Sequence, residues 1–236
     1  MDTVRGKQHI RQSLAEVESL RSKVEELPEH LLALGLVKRY QCVRFEATYS
    51  DLISTSNYGP ACRFFLDELY SPKDFSQRDA EFSRIAGTIE RIFPRSIVEV
   101  ACRLAELHAL TEKLDVAMAA SVMELQLLEA DTPYLDDAIY RAAWRHIGRT
   151  KERRHQLESV LLLGNSLGKV TKVPGIRFTL RAMRRPAAAA HLSNLQMFLE
   201  KGFDTFAAMA KRAESVQHFL EVIEQRESSW IERMTQ

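Results

Sequence analysis

Arg95–Leu128, RSIVEVACRLAELHALTEKLDVAMAASVMELQLL, decides the fold class. Ile97, Val100, Ala101, Leu104, Leu107 and Leu110 recur at steps of three or four. Leu114, Met118, Val122, Leu125 and Leu128 carry the same period onward, which is the signature of a helix with one buried side. Pro94 suits the first helical turn, where its missing N–H costs nothing. A bend is expected near Thr111.

Upstream, Ser76 to about Phe93 reads as a helix through Phe82, Ile85, Ile89 and Ile92. Ser76 with Asp79 forms a capping-box-like start. Before it lies CRFFLDELYSPKDFSQRD, residues 62–79. The breaker Ser54–Pro60 and Pro72 bound a short helix over 60–70. Phe65, Leu66 and Leu69 share its inner face, Phe64 lies at the border, Tyr70 closes it, and Arg63 can pair with Asp67. Two further helices are expected over 3–26 and 29–55, separated at Pro28.

Downstream, Thr132 is a plausible N-cap with Asp136 and Asp137 in the first turn. That helix is expected to run, with a kink near Gly148, to about Leu167. Gly164, Gly168, Pro174 and Gly175 mark a loop and a candidate hinge. Helices over 175–184, 186–201 and 203–232 complete the chain, with Ala187–Ala190 allowing close approach and Gly202 as a terminator. No segment alternates at period two long enough to be a strand. The expectation is all-α: one domain, a bundle of about eight to eleven long and broken helices.

The composition agrees: 236 residues, 45% apolar, 28% charged, nine glycines and seven prolines. No apolar run reaches the ~20 residues that span a bilayer, and the N-terminus lacks a secretory core. A cytoplasmic protein with no membrane partner is expected. Cys42, Cys62 and Cys102 are isolated, without zinc spacing, and read as reduced structural thiols. Glu-x-x-His occurs once, at Glu152–His155, short of the pair that a metal-carboxylate bundle needs. Gly164–Gly168, GNSLG, has the Gly-x-Ser-x-Gly spacing but no preceding strand, so it is not read as a nucleophile elbow. His-Glu-x-x-His, the P-loop and the dinucleotide glycine fingerprint are absent. No catalytic residue, metal or cofactor is therefore assigned. His9, His30 and His218 read as solvated. His108 and His191 could line an apolar face, where an axial haem ligand is an alternative.

Charge is unevenly distributed. Between Arg141 and Arg185 there are twelve bases and two acids, a segment of +10 in a chain of +1. Arg141, Arg145, Arg149 and Arg153 recur at i+4 and would form one stripe on a continuous helix, with Arg181, Arg184 and Arg185 as helpers. Internal pairing with acidic helices (Glu124, Glu129, Glu224), an anion site built from guanidinium forks, and nucleic-acid binding all fit this pattern.

Arg63–Tyr70, RFFLDELY, resembles the signature of a bacterial family named for an FFLEELY motif, with Asp67 in place of its Glu. Leu195–Phe203, LQMFLEKGF, is similar to a later stretch of the same group. That family has no characterised activity, so the resemblance implies none. The leading expectation is a non-enzymatic protein whose arginine face binds an anionic ligand or an acidic protein. One alternative is an enzyme or cofactor carrier with a pocket in the helical core, on which His108, His191, Tyr70 or Tyr140 would converge. The other is a nucleic-acid binder. A homo-oligomer is possible in each case.

Overall fold

A computed structural model describes residues 3–128, 134–212 and 214–236, with side chains except at 3–5, 70 and 90–92. The expected cap at Thr132, the partner Glu129, Ala213 and the side chain of Tyr70 lie outside the described residues. In chain order the helices are α1 (Thr3–Glu25), α2 (Pro28–Thr48), α3 (Ser50–Ile53), α4 (Gly59–Phe65) with a π-helical turn (Leu66–Tyr70), and α5 (Ser76–Ile92). Then come α6 (Arg95–Glu124), α7 (Asp137–Ile147), α8 (Thr150–Val170), α9 (Ile176–Ala182), α10 (Arg184–Ala189), α11 (Ser193–Met209) and α12 (Ser215–Thr235). The described residues contain no strand, so the all-α expectation holds.

The apolar period of 95–128 becomes the axis of the molecule. α6 is 30 residues long, about 45 Å, and passes through Thr111 without interruption. Its buried residues include Ala101, Ala105, Leu107, Ala109, Leu114, Met118 and Val122. They are spread around the helix, as they are when neighbours enclose it. α1, α2, α7 and α8 pack directly on it, and α12 closes the bundle against α7 and α8. α5 lies along α1, and α11 joins α4, α5 and α9.

Several boundaries differ from the sequence reading. The helix expected over 29–55 ends at Thr48, Gly202 is not a terminator but lies buried inside α11, and the helix expected over 203–232 is divided between α11, ending at Met209, and α12, starting at Ser215. Gly164 and Gly168 are not a loop: both are buried inside α8, which runs to Val170. A Cβ at Gly164 would lie 2.6 Å from Leu220 Cδ2, and one at Gly168 3.1 Å from Val216 Cγ1. These glycines let α12 approach α8. The helix expected over 186–201 is broken at Ala190–Leu192, where His191 has φ of 54°.

The pair Phe64–Phe65 is placed differently from expectation, and informatively. Both rings are buried. Successive helical residues point about 100° apart, and α4 sits between two clusters. Phe64 joins Ile10, Phe82, Ala105 and Phe198, while Phe65 joins Phe45, Phe206 and Phe219. Among the described residues Arg63 and Asp67 form no ion pair. Asp67 and Glu68 instead meet Lys201 of α11 at 3.3 and 2.9 Å. Phe64 stacks on Phe198 at 5.6 Å, and Gly202 makes room for it, since a Cβ there would reach Phe64 Cζ at 3.0 Å. The two stretches 63–70 and 195–203 are thus one joint. Phe65→Ala should cost about 3–5 kcal/mol, measurable by chemical denaturation.

Candidate functional site

The buried surface of α6 carries a polar stripe at helical spacing: His108, Thr111, Glu112 and Asp115. Four helices answer it. Asp79 of α5 accepts hydrogen bonds at 2.8 Å from His108 Nε2 and at 2.8 Å from Arg21 of α1. Arg78 also approaches Asp79, at 3.4 Å, and lies over the Phe198 ring. Glu112 accepts from Lys38 of α2 at 2.7 Å and from Arg21 at 3.2 Å. Gln41 donates to Asp115 at 2.9 Å and to the Tyr140 hydroxyl at 3.1 Å. Gln156 of α8 donates to Thr111 at 2.8 Å.

The charges tune one another. Burial works to raise the Asp79 carboxyl, but its hydrogen bond with His108 and the Arg78 and Arg21 guanidiniums hold it below the usual range. Glu112 is held low in the same way, against burial, by Lys38 and Arg21. Asp115 goes the other way: complete enclosure pushes it up despite Lys38 and Arg153.

Three cavities meet beside this stripe. The largest, ≈ 120 Å³, is almost wholly apolar and lies among Phe64, Ile97, Leu104, Leu163, Leu180 and Phe203. A second, ≈ 50 Å³, is reached by Arg78, Asp79, His108, Thr111 and Gln156. A third, ≈ 60 Å³, is reached by Gln41, Arg44, Tyr140, Arg153 and Glu227. Phe65 and Val160 line all three. Asp79 also lines a surface cleft between α1 and α5 that includes Arg21 and Ser76. The Arg21–Asp79 pair therefore stands between solvent and the interior. Asp79 does not cap α5 as expected; Asp74 does that work, accepting from the Ser76 N–H at 2.8 Å.

The arginine stripe is not one face. Gly148, at φ 59°, ends α7 in a left-handed cap, and α8 starts afresh at Thr150. Arg141 and Arg145 therefore stand on one helix and Arg153 on another, with Arg149 between them. Arg153 is 6% exposed. It packs over Trp144 at 4.9 Å, hydrogen-bonds Gln156 at 3.2 Å and lies 4.0 Å from Asp115. Arg149 lies 3.7 Å from Glu152. Arg184 forks onto Glu200 at 2.8 and 2.9 Å. Arg145, Arg181 and Arg185 are exposed, and among the described residues they make no ion pair.

Of the residues expected to converge on a core pocket, His108 and Tyr140 line cavities, whereas His191 is exposed. His108 Nε2 is engaged by Asp79, and the apolar void is far smaller than a haem, so these residues do not fit that group. Among the described residues no group of three or more His, Cys, Asp or Glu could hold a metal ion. Cys62 and Cys102 are buried and Cys42 is half-buried. Burial pushes the Cys62 thiol up to about 11, which suits a structural thiol. The polar stripe itself was missed in the sequence. Its signal was available as H-x-x-T-E-x-x-D, polar residues at helical spacing within the apolar period of α6.

Residues 20–236 match the family described as Domain of unknown function (DUF8198). The chain belongs to this family. No curated protein and no solved structure matches it. Every ionisable group of the network, from Arg21 onward, lies inside the DUF8198 span, as do the two stretches that form the joint.

The network predicts an acid-limb dependence. Asp79 and Glu112 have folded values below their unfolded ones, about 3.9 and 4.3. Their stabilisation is fully present above those unfolded values and is lost as pH falls from there through the lower folded ones. Asp115, shifted upward, works in the opposite sense. Urea denaturation should show stability falling below about pH 4.5. Asp79→Asn should cost about 3–5 kcal/mol at neutral pH and flatten that acid limb.

Proposed function

We propose that the chain binds a small apolar or amphipathic molecule inside the bundle. Its apolar part would lie in the ≈ 120 Å³ cavity, and its polar end would face Arg78, His108, Thr111 and Gln156. The carrying observation is the adjacency of the two voids, which share Phe65, Leu69, Phe82, Leu104, Leu107, Val160 and Phe198 as walls. Binding sites are mostly apolar concavities with a few convergent polar groups. An apolar cavity of about 150 Å³ accepts benzene, so the void as it stands matches a ring-sized group.

The two joint stretches support this reading, because they supply much of the wall: Phe64, Phe65 and Leu69 from one, Phe198, Leu199, Gly202 and Phe203 from the other. Their resemblance to the bacterial FFLEELY group is part of the same proposal. A cytoplasmic setting is also proposed, supported by three cysteines that form no disulfide and by the lack, among the described residues, of any helix long and apolar enough to cross a membrane. The reading of four arginines as one anion-binding face loses support from the burial of Arg153 and the break at Gly148.

Thermal denaturation with toluene as probe tests the cavity. At a hundredfold excess over Kd the gain is about 2.7 kcal/mol, or roughly 5–10 °C for a chain of this size. Leu104→Phe, which fills the shared wall, should remove the shift. Native mass spectrometry of freshly purified protein should show a retained small-molecule adduct. No saturable shift together with no adduct would overturn the proposal.

A further inference from the structure

No Asp or Glu occurs between Glu158 and Glu200, while six bases do: Lys169, Lys172, Arg177, Arg181, Arg184 and Arg185. α9 and α10 sit in the middle of this stretch and run nearly as one helix. Met183 between them keeps helical backbone angles, and hydrogen bonds pass from Met183 N–H to the Thr179 carbonyl and from Ala187 N–H to the Met183 carbonyl.

This rod has three sides. Ile176, Leu180 and Ala187 are buried, and Ile176 and Leu180 line the apolar cavity. Arg177 and Arg184 turn to α11, where they meet Asp204 at 3.0 Å and Glu200 at 2.8 Å. Phe178, Arg181 and Arg185 share the outer side, about 155° from the buried one at 100° per residue. Phe178 is 78% exposed, the most exposed large apolar side chain among the described residues. Arg181 and Arg185 are exposed beside it, as is Lys172 in the preceding turn.

A bare aromatic ring flanked by exposed cations that form no ion pair among the described residues is chemically complementary to an anionic lipid surface. The ring enters the headgroup boundary while the cations meet lipid phosphates and carboxylates. A strand of nucleic acid is less well matched, because the rod offers a single ring rather than a series for successive bases. We propose that the outer side of α9–α10 docks reversibly on an anionic membrane surface through Phe178, Arg181 and Arg185. That no helix among the described residues is long and apolar enough to cross a membrane does not bear on such a peripheral contact. The helix that meets the bilayer is then also one wall of the cavity. Docking does not rest on the cavity reading, and either can fail alone.

Co-sedimentation of the full chain with phosphatidylcholine vesicles, with and without phosphatidylserine, at low salt tests this. Binding is expected only with phosphatidylserine and should weaken as salt rises. Each cation near an anionic surface contributes about fivefold in partition, so Arg181→Ala with Arg185→Ala should lose about 25-fold. Phe178→Ala should lose about tenfold or more through the lost ring burial. All three positions are exposed, so the variants should keep the wild-type circular dichroism and Tm. No binding to phosphatidylserine vesicles would overturn the proposal. So would binding unaffected by Phe178→Ala, or binding to a single-stranded oligonucleotide but not to vesicles.

Discussion

The structure depends on a contradiction built into its central helix. α6 is enclosed by neighbours, yet it carries His108, Glu112 and Asp115 on its buried surface. Unpaired charge in such a place costs several kcal/mol per ion. The neighbours must therefore present the right groups at the right height: Arg21 from α1, Lys38 and Gln41 from α2, Asp79 from α5, and Arg153 and Gln156 from α8. A helix sliding by one turn would strand a charge. These polar contacts therefore favour one register of the bundle, alongside close apolar fits such as Gly164 against Leu220.

Three voids open around Phe65 and Val160; the largest is walled by apolar side chains, and His108 and Thr111 of the polar stripe reach the one beside it. The joint of α4 and α11 is held from both sides. Phe64 stacks on Phe198 inside, and Lys201 bridges Asp67 and Glu68 outside. A rigid aromatic wall next to fixed polar groups is the geometry of a small-molecule pocket.

Much of the fold was legible because helical periodicity is a local property. The span 95–128 declared itself through its apolar steps, and Pro28, Pro72 and Pro94 marked breaks that the backbone follows. What escaped was set by partners distant in the chain. Gly164 and Gly168 look like loop residues until α12 is laid against them. Asp79 looks like a cap until His108 and Arg21 arrive. Arg153 sits in phase with Arg145 and Arg149, and only the left-handed turn at Gly148 sends it inward. The site was half legible: His108 and Tyr140 stood among the candidates, but their partners lie as far away as residues 21 and 156. Of the three helper arginines, Arg181 and Arg185 stand exposed while Arg184 meets Glu200 of α11, a difference set by which side of the rod faces α11.

The central claim is that the bundle holds an apolar site bounded by Phe65, Leu104, Phe198 and Phe203 rather than a filled core. Crystals of the protein pressurised with xenon test it most directly, since xenon occupies dry apolar cavities of this size. The account predicts anomalous density between α5, α6, α8 and α11, beside Phe65 and Leu104. A xenon-free, fully packed interior at that position would contradict it.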